Sequence, residues 1–282
     1  MGGEWTREPA DERWQGGGRI NGRRWVALAG LLLAGALPGR AVAAQEMLWP
    51  GDARIAPDRI QAHWATYRFI QFARGDSTVV GRLSRRVERV HHTAEEPSIL
   101  ISMQFHGDRR SGLDIVYLDA ETLAMRVRYL TAPTGLKIYY QSGQSLQTTY
   151  VSRAAERLVA DTSAIRERFG GGADLVLAAL DLDPGEEVSL PDIGGAATTL
   201  SAALVSDCVV LVGPEPLDVP GVWSGEVSRF ESVQASGTRV TYWISKEAPH
   251  LIRQEFRSAD GVLFLRWELE RLTPEPLAHQ LR

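Results

Sequence analysis

Cysteine is almost missing from this sequence. Cys208 stands alone among 282 residues, so no intrachain disulfide can staple the fold. The longest apolar run, Trp25 to Leu37, holds 13 residues, well short of the ~20 that a membrane-spanning helix needs. Positive charge is not in excess either. The 31 basic and 35 acidic side chains give a net charge of −4, and no basic stripe invites nucleic acid. The familiar catalytic signatures are lacking too. There is no His-Glu-x-x-His and no cysteine pair to hold zinc. Gly221-Val222-Trp223-Ser224-Gly225 has the wrong spacing for a nucleophile elbow. Gly170-Gly171-Gly172 lacks the Lys-Ser/Thr of a phosphate-binding loop. These absences assign no catalytic residue, no metal ligand and no cofactor, and the expectation is a protein that is not an enzyme.

What the sequence does contain begins with an address. Arg23-Arg24 precedes the apolar run, Pro38-Gly39 breaks it, and the small residues Ala41-Val42-Ala43-Ala44 follow. Charged head, apolar centre and small residues at the cut are the parts of a secretory signal. Residues 1–44 are therefore read as a signal peptide, cleaved after Ala43 or Ala44. The arginine pair also fits a twin-arginine export signal, though a plain positive head is the simpler reading. The polar stretch Gly2 to Gly22 is long for such a head. No cysteine near the cut offers a site for lipid attachment. Removing six arginines and four acids with the signal leaves 25 basic and 31 acidic side chains. The expected address is the periplasm or the outer side of the envelope.

Apolar residues make up 44% of the chain and charged residues 23%, enough for a genuine core. After an extended leader over 45–58, β-forming segments recur at short intervals. Tyr67 to Phe72 and Thr78 to Val80 flank Arg74-Gly75-Asp76-Ser77, a hairpin turn in which the Arg-Gly-Asp triplet is only a tip. Strands are expected at Ser98 to His106, Leu113 to Leu118, Ala124 to Thr131, Leu136 to Gln141 and Ser145 to Val151. A second series runs through Thr198 to Val212, Trp223 to Val233, Arg239 to Ile244, Leu251 to Arg257 and Leu263 to Leu269. Apolar and polar residues alternate in several of them, the period-two pattern of an antiparallel sheet with one buried face. Between the series, Ser152 to Phe169 reads as part helix, part strand, Gly170-Gly171-Gly172 as a flexible joint, and Ala173 to Leu182 as a short helix. The fold class expected is mainly β: a curved antiparallel sheet or open barrel built from two similar halves, 64–151 and 197–272, within a single domain over 59–272. A tail covers 273–282. Two domains hinged at the glycines are the alternative. Short matches between the halves, Ser84 to Val90 with Val227 to Val233 and Val116 to Glu121 with Tyr242 to Glu247, suggest a worn duplication.

A set of short motifs carries a family likeness. Leu180-Asp181-Leu182-Asp183-Pro184-Gly185 precedes a polar strand, Val219-Pro220-Gly221 makes a turn, and Thr241-Tyr242-Trp243-Ile244-Ser245-Lys246 leads to Ile252-Arg253-Gln254-Glu255. In this order they resemble the DUF3108 family of bacterial exported proteins of unassigned function, over roughly Trp64 to Leu272. The resemblance implies a fold similar to the lipoprotein-carrier type, an open barrel able to enclose an apolar ligand. It brings no catalytic residues.

The individual side chains are read more plainly. Cys208, within Ser206 to Val212, is expected to be a buried small hydrophobe. Asp114, Asp119, Glu121 and Glu247 are expected at the solvated surface. His91 and His92 point to opposite faces of a strand and cannot share an ion; His63, His106, His250 and His279 form no cluster in sequence. Trp64, Trp223, Trp243, Trp267, Tyr67, Tyr117 and Tyr242 fall on strands, most as core and some as candidates to line a concave ligand surface. Period two puts Val116, Leu118, Tyr242 and Ile244 on the inner face and Tyr117 and Trp243 outside, covered by the leader or the mid-chain segment. The function expected is a non-enzymatic envelope protein binding an apolar, lipid-like ligand. The alternative is a structural or interaction protein with a filled core.

Overall fold

A computed structural model describes residues 46–93, 96–107, 111–132, 135–152, 158–194, 203–234 and 236–273. The expected targeting segment over 1–44, His279 and the tail beyond Thr273 lie outside them. The described chain forms one 15-stranded sheet. After β1 (Glu46–Met47), a meander of eight strands runs through β2 (His63–Ala73), β3 (Asp76–Thr93), β4 (Glu96–Gly107), β5 (Gly112–Asp119), β6 (Met125–Ala132), β7 (Gly135–Ser142), β8 (Ser145–Ser152) and β9 (Leu158–Ala164). One helix, α1 (Ala173–Ala179), intervenes. The second meander is β10 (Glu187–Gly194), β11 (Ala203–Val219), β12 (Trp223–Val233), β13 (Arg239–Ile244), β14 (Leu251–Arg257) and β15 (Leu263–Thr273). β15 pairs antiparallel with β2 and welds the two meanders together. β1 adds a parallel pairing to β10 at one edge, and β9 is the other edge. The sheet is curved and unclosed, as expected from the alternating pattern.

Local chemistry sets these elements. The β2–β3 hairpin turns on Arg74 and Gly75, both at positive φ (53° and 89°) between the paired Ala73 and Asp76, the backbone a two-residue hairpin loop of the I′ kind demands. The turn after β5 is organised by Asp119. Its Oδ1 accepts hydrogen bonds from the Thr122 amide at 2.8 Å, the Thr122 hydroxyl at 2.8 Å and the Glu121 amide at 3.1 Å. Such Asx geometry is why aspartate recurs in turns.

Four expectations are modified. The leader is not simply extended: after β1 it runs through turns and one 3-10 turn (Pro57–Arg59), and its Leu48 and Ile55 are core residues. Ser152 to Phe169 contributes a strand, β9, in its described part. The three glycines are not a loose joint. A Cβ on Gly170 would sit 2.2 Å from Met125 Sδ, and one on Gly172 would sit 2.7 Å from Ile101 Cδ1. Gly171 and Gly172 also take φ of 83° and 90°, so glycine is required for contact with β4 and β6 and for the backbone path. Finally, the matched motifs of the two halves do not superimpose strand on strand. Ser84 to Val90 lies on β3 and Val116 on β5, with β4 between them, whereas Val227 to Val233 and Tyr242 lie on the consecutive strands β12 and β13.

Candidate functional site

The inner face of the sheet is closed over α1. Six of the helix's seven residues, from Asp174 to Ala179, are buried, the condition of a helix with no solvent face. Between α1 and Phe169, Leu190, Val209 and Tyr242 a cavity of about 10 Å³ remains, about one water's worth of space. This part of the interior is occupied by the chain's own side chains.

A polar cluster sits within that apolar packing. Arg85, 2% exposed, lies on β3 between the buried Leu83 and Val87. Its guanidinium donates to both carboxylate oxygens of Asp174, Nη2 to Oδ1 at 3.0 Å and Nη1 to Oδ2. Burial works against the charge on Arg85, but the facing carboxylate outweighs it and holds the guanidinium more firmly protonated. The Tyr67 hydroxyl donates to the Leu251 carbonyl at 2.9 Å. Two histidines, His63 on β2 and His250 just before β14, meet edge to face with ring centroids 5.7 Å apart. His250 Nε2 accepts from the Gln61 amide at 3.2 Å, and its Nδ1 lies 3.1 Å from the Ser245 carbonyl. His63 Nδ1 lies 2.9 Å from the Gln61 carbonyl and so carries the proton. Its Nε2 is a buried acceptor with no protein partner among the described residues.

This placement has a pH consequence. Burial, and then the neighbouring Arg85 charge, push the His63 imidazole from an ordinary 6.5 down to about 4. Burial lowers His250 as well. Both are neutral in the folded protein at pH 7, and the unfolded chain binds protons first. The stability they contribute is complete above about 6.5 and is lost as pH falls below it, for His63 down to about 4. Each histidine can steepen the loss by up to about 1.4 kcal/mol per pH unit. Denaturant unfolding between pH 7.5 and 4.5 should show that decline, and His63→Gln should flatten it. An unchanged slope in His63→Gln would remove His63 from the account.

Away from α1, the inner face ends in aromatic rings. Register puts Phe69 of β2 opposite Trp267 of β15, Trp267 opposite Gln254 of β14, and Phe256 opposite Leu265. Phe105 of β4 shares the face through its pairing with the buried Leu83. The rings touch in sequence: Phe105 to Phe69 at 5.9 Å, Phe69 to Trp267 at 5.0 Å, and Trp267 to Phe256 at 5.6 Å. Gly81 of β3, paired with Phe69, has no side chain to part the first two, and a Cβ there would meet the His106 carbonyl at 2.8 Å. All four rings are only partly buried. The Trp267 indole N–H has no protein partner among the described residues. That nitrogen is itself buried, so what the arc offers is an apolar surface for an alkyl or ring system.

The residues singled out in the sequence are distributed as follows. Trp267 joins the arc. Tyr67 and Tyr242 are core, while Trp64, Trp223, Trp243 and Tyr117 are only partly buried. Trp243 is covered neither by the leader nor by the mid-chain segment. Its indole N–H donates to Glu215 of β11, and the Arg253 guanidinium lies 5.8 Å from the ring centroid. Cys208 is not a buried hydrophobe. It is partly exposed with its Sγ 2.8 Å from Glu187 Oε1, while its neighbour Val209 takes the core position. Asp114 is not solvated: it is buried and accepts two bonds from the Arg128 guanidinium, at 3.0 and 2.7 Å. Asp119, Glu121 and Glu247 lie at turns or in exposed loops. His91, His92 and His106 are exposed, and no metal-holding group of side chains occurs among the described residues. Arg85 and Asp174 carry only a faint signal in the sequence, an acid inside an apolar helix and an arginine at a core-parity position.

The fold is thus an open, curved antiparallel sheet closed over its own short helix. No family model matches the chain, so the DUF3108 likeness rests on its short motifs, and no curated protein matches. Among solved structures, the chain is similar to a β-barrel-like protein of the domain of unknown function DUF1849 from Brucella abortus. The TM-score is 0.49 and the identity 12%, over 79% of this chain and 100% of that one. It is also similar to a protein with a YmcC-like fold from Bacteroides fragilis, at a TM-score of 0.35 and 9% identity, over 81% of this chain and 99% of that one. Identities this low carry no residue from one protein to another. No helix among the described residues is long and apolar enough to cross a membrane.

Proposed function

We propose that this chain is an exported, non-enzymatic protein of the bacterial envelope that holds an apolar, lipid-like group against the arc of Phe105, Phe69, Trp267 and Phe256. The address comes from the signal-like residues 1–44. The arc carries the reading: four touching rings stay partly open on the inner face, beside the part that α1 fills. The ligand's apolar portion lies along the rings rather than deep inside the sheet. Equilibrium titration of the purified protein with a fluorescent fatty-acid analogue tests this. Phe69→Ala and Trp267→Ala should each weaken binding at least tenfold, about 1.4 kcal/mol, while the outward-facing Trp243→Ala should leave it unchanged. Wild-type protein that takes up no probe, or arc variants that bind as well as wild type, would overturn the reading.

The small cavity beside α1, about 10 Å³, favours a second reading. On it the filled sheet is a scaffold that acts through its loops or edges, and the arc variants then change stability without any probe being bound.

A further inference from the structure

One end of the sheet presents apolar side chains around its turns. The β12–β13, β14–β15 and β2–β3 hairpins lie side by side, and antiparallel pairing puts all three turns at that end. Val233 is 56% exposed, Val262 59%, Phe264 39%, Val79 47% and Val80 36%. The turns at the opposite end over 120–124, 142–145 and 245–250 expose no large apolar side chain.

Irregular pairing aims two of these residues. Between β2 and β3, Phe69 pairs with Gly81 and Ile70 with Val79, which leaves Val80 as an extra residue. Between β14 and β15, Phe256 pairs with Leu265 and Arg257 with Leu263, which leaves Phe264. A β-bulge re-aims a side chain that a regular ladder would hold in place, and here two neighbouring hairpins each use one to present an apolar residue. Phe264 also meets Phe256, with ring centroids 6.4 Å apart. The row of rings that forms the arc therefore continues out to this end.

The same end sets arginines against each other. Register places Val233 opposite Arg239, Arg239 opposite Arg257 and Arg257 opposite Leu263. Like charges directly across a ladder repel. Glu255 relieves this only in part, since it accepts from both Arg257 and Arg266. Arg239 is exposed with no acid partner among the described residues. Arg74 is exposed in the β2–β3 turn. The other acids of this end are Asp76, which closes the same turn, and Asp260, which accepts from the Ser258 hydroxyl. Arg74, Arg239, Arg257 and Arg266 thus outnumber Asp76, Glu255 and Asp260. Paired guanidiniums flanked by valine and leucine suit a phosphate that sits above an acyl chain.

We propose that this end of the sheet docks on the surface of a phospholipid bilayer that carries anionic lipids, with Val79, Val80, Val262 and Phe264 against the acyl chains and Arg239 and Arg257 at the phosphates. The proposal rests on the reading of the arc as a lipid site and adds where the ligand comes from: it passes from the bilayer over Phe264 to Phe256 and so onto the arc. The occupant is a bilayer because the row of rings ends at this surface and because the surplus arginine charge there complements lipid phosphate.

Flotation of the purified protein with phosphatidylcholine vesicles, with and without phosphatidylglycerol, tests this. Wild type should float with the vesicles that contain phosphatidylglycerol. Val80→Asp/Val262→Asp should lose that flotation, and so should Val262→Asp alone, which changes a turn residue and no strand. Arg239→Glu should lose it as well. All three variants should keep the circular dichroism of wild type and its affinity for the fluorescent fatty-acid analogue. Phe69→Ala should do the reverse, floating as wild type does while binding the analogue weakly, so that a failed arc and a failed docking surface give different results. Wild type that floats with neither vesicle or equally with both, or variants that float as well as wild type, would overturn the proposal. So would a dimer on sedimentation that Val80→Asp/Val262→Asp abolishes, for then this end serves a second copy and not a bilayer.

Discussion

Arg85→Ala should lower the free energy of unfolding by about 3–5 kcal/mol, the usual cost of stranding one partner of a buried ion pair. Asp174 would remain on a largely buried helix whose other residues are apolar, without the two bonds from Arg85. Asp174→Ala should be costly for the converse reason, leaving a guanidinium that is 2% exposed without its carboxylate. The pair itself contributes less than either loss suggests, because desolvating both charges offsets most of their attraction. Arg85→Met combined with Asp174→Leu should therefore recover most of the stability. Urea unfolding followed by circular dichroism measures all three. If Arg85→Ala were within 1 kcal/mol of wild type, α1 would be held by apolar packing alone.

The second large effect lies on β13. Ile244→Ala should cost about 2–5 kcal/mol, transfer and cavity terms together, because Ile244 packs in the core beside Tyr242 and Leu251. Trp243→Ala should cost less despite the larger side chain, since that ring lies on the outer face and loses only its hydrogen bond to Glu215, the nearby Arg253 and partial burial. A denaturant series giving the opposite order would exchange the two faces of the strand.

That face was legible in three residues. Tyr242-Trp243-Ile244 alternates, and the structure places Tyr242 and Ile244 in the core with Trp243 outside. The same rule, applied fully, would have found Asp114, which shares parity with Val116 and Leu118. It was read as surface because residue type outweighed position. Cys208 failed differently. In Cys208-Val209-Val210-Leu211-Val212 every residue is apolar, so the sequence carries no alternation, and only pairing with β10 and β12 decides that Val209 and Leu211 turn inward. The aromatic arc was not legible as a unit, for its rings come from β2, β4, β14 and β15, and only sheet order brings them together. The leader's burial was hidden by its turn-rich composition, although Leu48 and Ile55 gave it apolar anchors.

The weld between β15 and β2 also sets a timetable. It joins partners such as Arg68 and Glu268, 200 positions apart in the chain, and closing so long a loop is slow compared with forming neighbouring hairpins. A ribosome delivers β2 long before β15. Through that interval each meander can zip only along its own hairpins, and β2 waits with one side unpaired. Assembly is therefore gated by β15: a chain lacking Leu263–Thr273 would retain most of its hairpins yet lack the strand that joins them.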